Sequence, residues 1–336
     1  MAGARQVTNI VLCYPVEERH LHWLQEAAPG CRLINAGQEG IAEALHEADI
    51  FVGHAKVPVD WDSVVRRGRL RFIQSSAAGL DHCLVPSVIE SNIPVCSASG
   101  LFADQVAEQT MALLLGLLRG LPIFFRQTLA REYVRRPTDD LHGKRIGIIG
   151  MGGNGRRIVE VLRPYRVSIH ATDYYPVRCP EGVEYLGPHT ELHQVASRSD
   201  ILILTLPLNQ QTEHCIDASL FHAMPRGSYL INVARGPCVR EVDLVSALQE
   251  GHLAGAGIDV AEVEPLPTDS PLWTMPNVII TPHVGAQAAS RVDDSTRLAC
   301  ENLRRFLRGE WLLNQVDKRL GFPHPDVLAA LHWKMK

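Results

Sequence analysis

The sequence predicts an α/β fold with two doubly wound parallel-sheet domains. Short, nearly continuous apolar runs recur along the chain, and segments with helical periodicity separate them. Strands that are apolar on both faces are typical of parallel sheets that helices cover on both sides. The chain has 336 residues. Because chains above roughly 250–300 residues usually divide into domains, two sheets are expected.

Two series of strands are predicted, with helices such as 17–27 and 39–47 in the connections. The first series comprises residues 7–13, 32–36, 50–53, 70–74 and 93–96, and the second comprises 145–149, 167–172, 201–206, 229–233, 255–260 and 278–281. A long apolar helix is predicted at 103–119 between the two series, and a final helix at 285–308. The segment 121–142 fits neither sheet, and we interpret it either as an oligomer-contact arm or as a solvated loop.

The composition argues against several classes of protein. The net charge is −4 with both signs scattered along the chain, so nucleic acid is not an expected partner. The longest apolar stretch, 111–118, is far shorter than the ~20 residues of a membrane helix, and no membrane association is expected. The eight cysteines form no CxxC pair, which favours free thiols in a cytoplasmic protein. No metal site is predicted.

A glycine-rich turn directly follows the predicted strand at 145–149. Residues 150–155 read Gly-Met-Gly-Gly-Asn-Gly and open a helix. Gly150 permits a tight turn, Gly152 lets a pyrophosphate approach the backbone, and Gly155 lets the helix pack closely on the strand. Since strand, turn and helix occur in this order, the stretch predicts a dinucleotide site.

The start of this helix and the end of the next strand complete the predicted coenzyme site. Gly153 and Asn154 lie in the first helical turn, whose unpaired N–H groups and positive dipole end attract phosphates. Asp173 follows the turn at the roughly 20-residue spacing that this motif requires. A carboxylate there accepts hydrogen bonds from the adenosine ribose and repels a 2′-phosphate, so NAD is favoured over NADP. Arg178 weakens this preference slightly.

Three side chains after later strands form a candidate catalytic group. Arg235 follows the strand at 229–233, where a guanidinium can grip a carboxylate through two hydrogen bonds and polarise an adjacent carbonyl. His283 follows the strand at 278–281, and an imidazole can give a proton to the alkoxide that forms when a hydride reaches a keto acid. Glu264 can hydrogen-bond that imidazole and hold its orientation.

These residues, with several further motifs, closely resemble the D-isomer-specific 2-hydroxyacid dehydrogenases. The likeness extends over about residues 7–316. It rests on the stretches at 78–81 (Ala-Gly-Leu-Asp), 106–108 (Val-Ala-Glu), 150–155, 206–208 (Leu-Pro-Leu), 233–236 (Val-Ala-Arg-Gly), 259–265 and 281–285 (Thr-Pro-His-Val-Gly). Two features depart from the family pattern: Asn154 stands where an apolar residue is usual, and the tail 321–336 runs past the usual end.

The resemblance implies a particular domain organisation. Residues 1–100 and 286–336 would form a flavodoxin-like substrate domain, and residues 101–285 would form a Rossmann coenzyme domain. The active site would lie in the cleft between them. The resemblance also implies a homodimer that forms through the coenzyme domains.

Roles for individual residues follow from the same resemblance. Arg235 would bind the 2-oxo acid, His283 would be the acid/base, and Glu264 would be the partner of that histidine. Ala78 and Gly79 would offer their backbone N–H groups to the substrate carboxylate.

Contacts with the coenzyme are implied in the same way. Asp259 would hold the nicotinamide carboxamide, and Leu206 and Pro207 would pack on the adenine side. Further coenzyme contacts are expected from Val233, Ala234 and Gly285.

The predicted activity is the NAD-dependent, reversible reduction of a small 2-oxo acid, such as glyoxylate or hydroxypyruvate, to its D-2-hydroxy acid. Phosphite oxidation on the same scaffold stays open as an alternative. Formate oxidation is disfavoured, because formate dehydrogenases of this type carry glutamine where Pro282 stands. Some relatives are NAD-sensing, non-catalytic corepressors that keep the same three side chains, so these side chains do not exclude such a role.

Overall fold

A computed structural model describes residues 7–328. Within them the chain divides into two compact units. The first unit ends at Leu101 and resumes at Ala288, and the second unit comprises Phe102–Gln287. The last eight residues of the tail at 321–336 lie outside the described residues.

The first unit contains a five-stranded parallel sheet in the order β2-β1-β3-β4-β5. Its strands are β1 (Asn9–Cys13), β2 (Arg32–Asn35), β3 (Ile50–Gly53), β4 (Phe72–Ser75) and β5 (Val95–Cys96). The connections contain helices α1 (Glu18–Ala27), α2 (Gly37–Ala44), α3 (Trp61–Arg66) and α4 (Pro86–Glu90). This strand order is that of flavodoxin-like folds, and it confirms the prediction for this sheet.

The second unit contains a seven-stranded parallel sheet in the order β12-β11-β10-β9-β6-β7-β8. Its strands are β6 (Arg145–Ile149), β7 (Ser168–Asp173), β8 (Tyr185–Pro188), β9 (Ile201–Leu204), β10 (Ser228–Asn232), β11 (Leu253–Ile258) and β12 (Val278–Ile280). Its helices are α5 (Ala103–Leu118), α6 (Leu121–Leu129), α7 (Gly153–Leu162), α8 (Leu192–Ala196), α9 (Ala218–Ala223) and α10 (Glu241–Gln249). The strand order reverses between β6 and β9, as in a Rossmann fold.

Both faces of the seven-stranded sheet are buried. Side chains alternate across a strand, so that Leu202 and Leu204 of β9 pack into one apolar layer and Ile201 and Ile203 into the other. This explains why the strand is apolar throughout, and why its sequence predicts a covered parallel sheet.

The chain returns to the first unit through α11 (Arg291–Arg308) and a short antiparallel pair, β13 (Val316–Asp317) and β14 (Phe322–Pro323). Ala299 and Leu303 of α11 belong to the same buried cluster as Ile10 and Leu12 of β1. The predicted final helix therefore exists, but it begins at Arg291 instead of residue 285.

The structure shows how residues 121–142 are arranged. This segment begins with α6, and residues 130–138 after the helix are exposed. Among the described helices, none alone has the length and apolar character to cross a membrane. Only α5 and α6 together, bent by 68°, satisfy those two conditions.

Candidate active site

The candidate site residues of the second unit lie at the carboxyl ends of its strands. Because the seven strands are parallel, these ends form one edge of the sheet, which is where α/β proteins bind ligands. In strand order the residues are Gly150 after β6, Asp173 at the end of β7, Leu206 and Pro207 after β9, Val233, Ala234 and Arg235 after β10, Asp259 and Glu264 after β11, and His283 and Gly285 after β12.

The glycine turn has the geometry that a dinucleotide requires. Gly150 has φ +99°, a conformation that favours glycine. A Cβ on Gly155 would collide with the carbonyl oxygen of Gly150, so only glycine allows this close approach of α7 to the turn. A Cβ on Gly152 would meet no atom within 4 Å, which leaves open space over the backbone at that position. These residues therefore fit a pyrophosphate group.

Helix α7 begins at Gly153, so its first N–H groups are available to a phosphate. Gly153 is buried within the turn, and Asn154 is half-buried. The Asn154 side chain makes no hydrogen bond with any residue between 7 and 328, and α7 begins one residue before it, at Gly153.

Asp173 is fixed by two backbone donors. The N–H of Met151 donates to Oδ2 at 2.5 Å, and the N–H of Tyr175 donates to Oδ1 at 2.8 Å. Burial raises the pKa of Asp173 above its usual value, although these N–H groups and the charges of Arg156 and His189 act in the opposite direction. The carboxyl group thus lies directly beside the glycine turn, as its spacing in the sequence predicts.

A further cation holds the loop after Asp173. The guanidinium of Arg156, on α7, donates to the backbone carbonyls of Arg178 at 3.0 Å and Val177 at 3.2 Å. Burial lowers the pKa of Arg156, which the negative charge of Asp173 partly offsets. This arrangement places Arg156 between the glycine turn and the loop that follows β7.

The backbone around Arg235 is braced by a buried amide. The N–H of Ala234 donates to Asn232 Oδ1 at 3.0 Å, and Asn232 Nδ2 donates to the Arg235 carbonyl at 3.2 Å. Arg235 Nη1 donates to the Ala234 carbonyl at 2.7 Å. Asn232 is 1% exposed. Its side chain therefore determines how the arginine leaves the sheet.

Glu264 and His283 are hydrogen-bonded, with 2.8 Å between Glu264 Oε2 and His283 Nδ1. Burial of the Glu264 carboxyl raises its pKa. The hydrogen bond and charge of His283, the N–H of Ala261 and the charge of Arg235 all lower it. These effects outweigh burial, so the pKa of Glu264 lies below its usual value. An ionised carboxylate only accepts hydrogen bonds, which assigns the Nδ1 hydrogen to His283. Nε2 is then the ring atom that can exchange a proton.

Asp259 organises the loop that carries this histidine. It is 3% exposed, and its carboxylate accepts three hydrogen bonds from that loop. Oδ1 accepts from the Thr281 hydroxyl at 2.6 Å and from the Val284 N–H at 3.0 Å, and Oδ2 accepts from the Gly285 N–H at 2.7 Å. Because a carboxylate has about four acceptor positions, about one remains for a ligand.

His283 has a left-handed backbone conformation, with φ +54°. Such a conformation costs a non-glycine residue about 1–3 kcal/mol and persists where the surroundings fix it. The His283 N–H donates to the carbonyls of Asp259 at 2.7 Å and Thr281 at 3.0 Å. These contacts, together with those of the Asp259 side chain, hold the strained residue in place.

The loop that carries Glu264 is anchored by residues that the sequence did not single out. Glu262 Oε1 lies 2.6 Å from His214 Nε2, and Glu262 Oε2 accepts a hydrogen bond from the Glu241 N–H at 2.7 Å. A Cβ on Gly236 would collide with the backbone of Ala261, so this loop packs directly on the residue after Arg235. In the sequence, the only indication of this packing is that Gly236 belongs to the motif at 233–236 that contains Arg235.

Ala78 and Gly79 belong to the first unit and lie in the loop after β4. Ala78 is exposed and Gly79 is half-buried. Neither backbone N–H donates to an acceptor in the part of the chain that the structure describes, so both can bind an anionic group.

The parallel sheet and the glycine turn together define a dinucleotide-binding α/β protein. The chain belongs to the D-isomer specific 2-hydroxyacid dehydrogenase family, since its residues 111–285 match the NAD binding domain of that family. The relatives named below are oxidoreductases, and the two solved structures among them contain NADPH or NADP.

Several relatives with assigned names are similar over most of the chain. A glyoxylate reductase of Thermofilum pendens is 34% identical over 298 residues, which cover 84% of this chain and 85% of the relative. A D-3-phosphoglycerate dehydrogenase of Methanocaldococcus jannaschii is 30% identical over 335 residues, which cover 96% of this chain but only 63% of that longer protein.

Solved structures show the same fold. A D-isomer specific 2-hydroxyacid dehydrogenase from Xanthobacter autotrophicus Py2, in complex with NADPH and MES, is 29% identical with a TM-score of 0.80, over 94% of this chain and 100% of that one. An NADPH-dependent glyoxylate/hydroxypyruvate reductase from Sinorhizobium meliloti, in complex with NADP and sulfate, is 26% identical with a TM-score of 0.77, over 94% of this chain and 100% of that one.

Proposed function

We propose that this protein is an NAD-dependent oxidoreductase that interconverts a small 2-oxo acid and its D-2-hydroxy acid. The observation that carries the proposal is the 2.8 Å hydrogen bond between Glu264 and His283 at the same sheet edge as the glycine turn. It supplies an oriented proton donor next to a site that fits a dinucleotide. The similarity to named glyoxylate and hydroxypyruvate reductases supports compact acids such as these as substrates.

The three polar side chains divide the chemistry among them. Arg235 binds the carboxylate of the acid and polarises its 2-oxo group. His283 gives the proton on Nε2 to the oxygen of that group during reduction and takes it back during oxidation. Glu264 accepts the Nδ1 hydrogen and stabilises the protonated ring. The nicotinamide, when bound, supplies or accepts the hydride.

The remaining predicted residues bind and orient. Ala78 and Gly79 offer N–H groups to the substrate carboxylate, and Asp259 keeps an acceptor position for the carboxamide of the coenzyme. Contacts with the rest of the coenzyme come from Gly150, Gly152, Gly153, Asn154 and Gly155 at the turn, and from Leu206, Pro207, Val233, Ala234 and Gly285.

NAD is the proposed coenzyme because of the carboxyl group beside the turn. The Met151 and Tyr175 N–H groups hold Asp173 in place, where it accepts from ribose hydroxyls and opposes a 2′-phosphate. Similar solved proteins bind NADP or NADPH, so the proposed preference distinguishes this chain from them.

We also propose that two chains form a homodimer through the second unit. A groove of about 500 Å³ lies among α5, α6 and β12, and apolar residues line most of it. Phe125 is 63% exposed and Leu129 is 86% exposed on α6 beside it. A second copy that covers this face would remove these large side chains from water. The cytoplasmic location that the cysteines favour stays a prediction.

The test is an activity screen with NADH and NADPH against glyoxylate, hydroxypyruvate, pyruvate, bulkier 2-oxo acids and phosphite. The wild-type protein should oxidise NADH with a compact 2-oxo acid. His283→Asn should lower kcat by about 10²–10⁴-fold, and Arg235→Lys should lower kcat/KM by about 10²–10³-fold because the two-pronged hydrogen bonding is lost.

His193→Asn is the matched control, since His193 is exposed on α8 and is not one of the candidate site residues. NADH binding, measured by its fluorescence, should persist in His283→Asn. Tight NADH binding without turnover of any acid would contradict the proposal and favour a coenzyme-sensing protein. If the protein turned over phosphite and no 2-oxo acid, the proposed substrate class would be wrong and phosphite would take its place.

A further inference from the structure

We propose that Gln109 and Thr281 are positioning residues that act through Asp259 to keep His283 hydrogen-bonded to Glu264. The effect on the reaction rate rests on the proposed function. The effect on the loop at 281–285 is independent of it, because the geometry of the histidine can be measured without turnover.

The direction of each hydrogen bond in this chain of residues is determined by its chemistry. Asp259 accepts backbone N–H groups at both carboxylate oxygens, and Oδ1 also lies 2.6 Å from the Thr281 hydroxyl. Thr281 has one hydroxyl hydrogen, which it donates to Asp259. Its oxygen therefore accepts from its other neighbour, Gln109 Nε2, at 2.8 Å. This fixes the Gln109 amide with its nitrogen towards the loop.

The two donors that Asp259 receives besides Thr281 come from the residues directly after His283. Val284 and Gly285 present their N–H groups to the two oxygens of one carboxylate. The hypothetical Cβ of Gly285 would lie 2.8 Å from Oδ2, so the backbone there lies against the carboxylate. A rotation of the Asp259 side chain would consequently move the loop on the carboxyl side of the histidine.

The side chain of the histidine has little support from packing. Its backbone is left-handed, and its side chain is 45% exposed, so packing holds the imidazole only in part. Glu264, its hydrogen-bond partner, is 41% exposed on a separate loop. The register between the two side chains is set by the backbone, which Asp259 holds.

Gln109 connects this loop to a rigid element far away in the sequence. It is separated from Thr281 by 172 positions and lies in the middle of α5, a helix of 16 residues of which eight are buried. Thr281 would otherwise be free to turn its hydroxyl away from the carboxylate. Through this hydrogen bond the buried helix holds the loop at 281–285 in a fixed position.

The experiment compares Thr281→Val, Thr281→Ser and Gln109→Leu, with Gln249→Leu as the control. Gln249 is an exposed residue of α10, and its side chain makes no hydrogen bond within residues 7–328. Two quantities are measured: the ¹⁵N resonance of His283 Nδ1, which reports the hydrogen bond to Glu264, and the steady-state kinetics with NADH. Light scattering checks that the molecular mass of each variant equals that of the wild type.

Thr281→Val should shift the His283 Nδ1 resonance towards that of a free imidazole and lower kcat by about 10–100-fold. KM for the acid should change by less than about threefold, since the substrate-binding groups are untouched. Thr281→Ser keeps the hydroxyl and should restore both quantities to near the wild-type values, and Gln109→Leu should have a smaller effect of the same kind.

A Thr281→Val protein with the wild-type Nδ1 resonance would overturn the proposal, and so would a Thr281→Ser protein that loses as much as Thr281→Val. If the wild-type protein turns over no 2-oxo acid, the proposed function fails. The Nδ1 resonance still decides this inference in that case, because it is observed in the protein without substrate.

Discussion

Glu264 and His283 form one hydrogen-bonded unit across two separate loops, although 19 positions separate them in the sequence. The loop after β11 supplies the carboxylate and the loop after β12 supplies the imidazole. Because β11 and β12 are parallel neighbours, their carboxyl ends lie side by side. The pairing therefore follows from the topology of the sheet, and the two loops only adjust its distance.

The lowered pKa of Glu264 predicts how this pair responds to acid. A carboxyl group with a lowered pKa in the folded state stabilises the fold above its unfolded pKa, and this contribution is lost as the pH falls through the folded value. The ordinary value is 4.5. The free energy of unfolding of the wild type should therefore fall relative to that of Glu264→Gln below pH 4.5.

Urea unfolding of both proteins between pH 3 and pH 7 measures this difference. Glu310→Gln, at an exposed position of the first unit, serves as the control and should follow the wild type. A difference that increases towards acid would contradict the assignment of the Nδ1 hydrogen.

The sequence predicts both sheets because most of their strands are continuous apolar runs. It misses β8, whose Gly187 and Pro188 are poor strand residues and which pairs only with β7 at the sheet edge. It also misses α6, because Pro122 resembles a break although proline is tolerated in the first helical turn.

The positions of the site residues are predictable because each follows a strand, and the strands are recognisable as apolar runs. The hydrogen bonds among them are not predictable in this way. The sequence suggests that Asp259 lies near the coenzyme, but not that three of its acceptor positions are taken by its own chain. Gln109 lies one position after a motif, and only the fold brings it to Thr281.

Asp173 should determine which coenzyme the protein uses. Asp173→Ser removes the negative charge that opposes a 2′-phosphate and leaves Arg156 beside the turn. Since like charges in contact cost several kcal/mol, the ratio of kcat/KM for NADPH to that for NADH should rise about 100-fold or more. Steady-state kinetics with both coenzymes measure it, and Asp62→Ser, at an exposed position of α3, should leave the ratio unchanged.

Burial raises the pKa of Asp173, so this discrimination should weaken as the pH falls. The protonated carboxyl group has no charge to oppose the phosphate. The wild-type ratio should therefore move towards NADPH as the pH is lowered towards the raised pKa of Asp173, while the ratio of Asp173→Ser changes less. Equal pH dependence in both proteins would show that another group controls the choice of coenzyme.

The exposed apolar side of α6 should determine the oligomeric state. Phe125→Asp or Leu129→Asp places a charge beside the apolar groove and should convert a dimer to a monomer, because an unpaired charge is costly to bury. Light scattering after gel filtration measures the molecular mass. Val242→Asp is the matched control, since Val242 is 69% exposed on α10. A wild-type protein with the mass of one chain would contradict the proposed homodimer.

Alanine at either of two glycines of the turn should impair the protein, but for different reasons: Gly155→Ala should lower its stability and Gly152→Ala its affinity for NADH. At Gly155 a Cβ would collide with the Gly150 carbonyl oxygen, which also accepts the Thr205 hydroxyl at 2.6 Å and so has little freedom to move. Such overpacking costs about 1–3 kcal/mol or more. Alanine has the better helix propensity by about 1 kcal/mol, so a net loss of stability in Gly155→Ala identifies the collision.

At Gly152 a Cβ has open space, and alanine should cost no more than about 1 kcal/mol as a poorer N-cap. The same Cβ would occupy the space over the turn that fits the pyrophosphate. Gly152→Ala should consequently weaken NADH binding by about tenfold or more, a larger loss than its stability explains. Thermal unfolding and NADH fluorescence titration of both variants measure the two effects. A Gly152→Ala protein that binds NADH as the wild type does would mean that the coenzyme phosphates lie elsewhere.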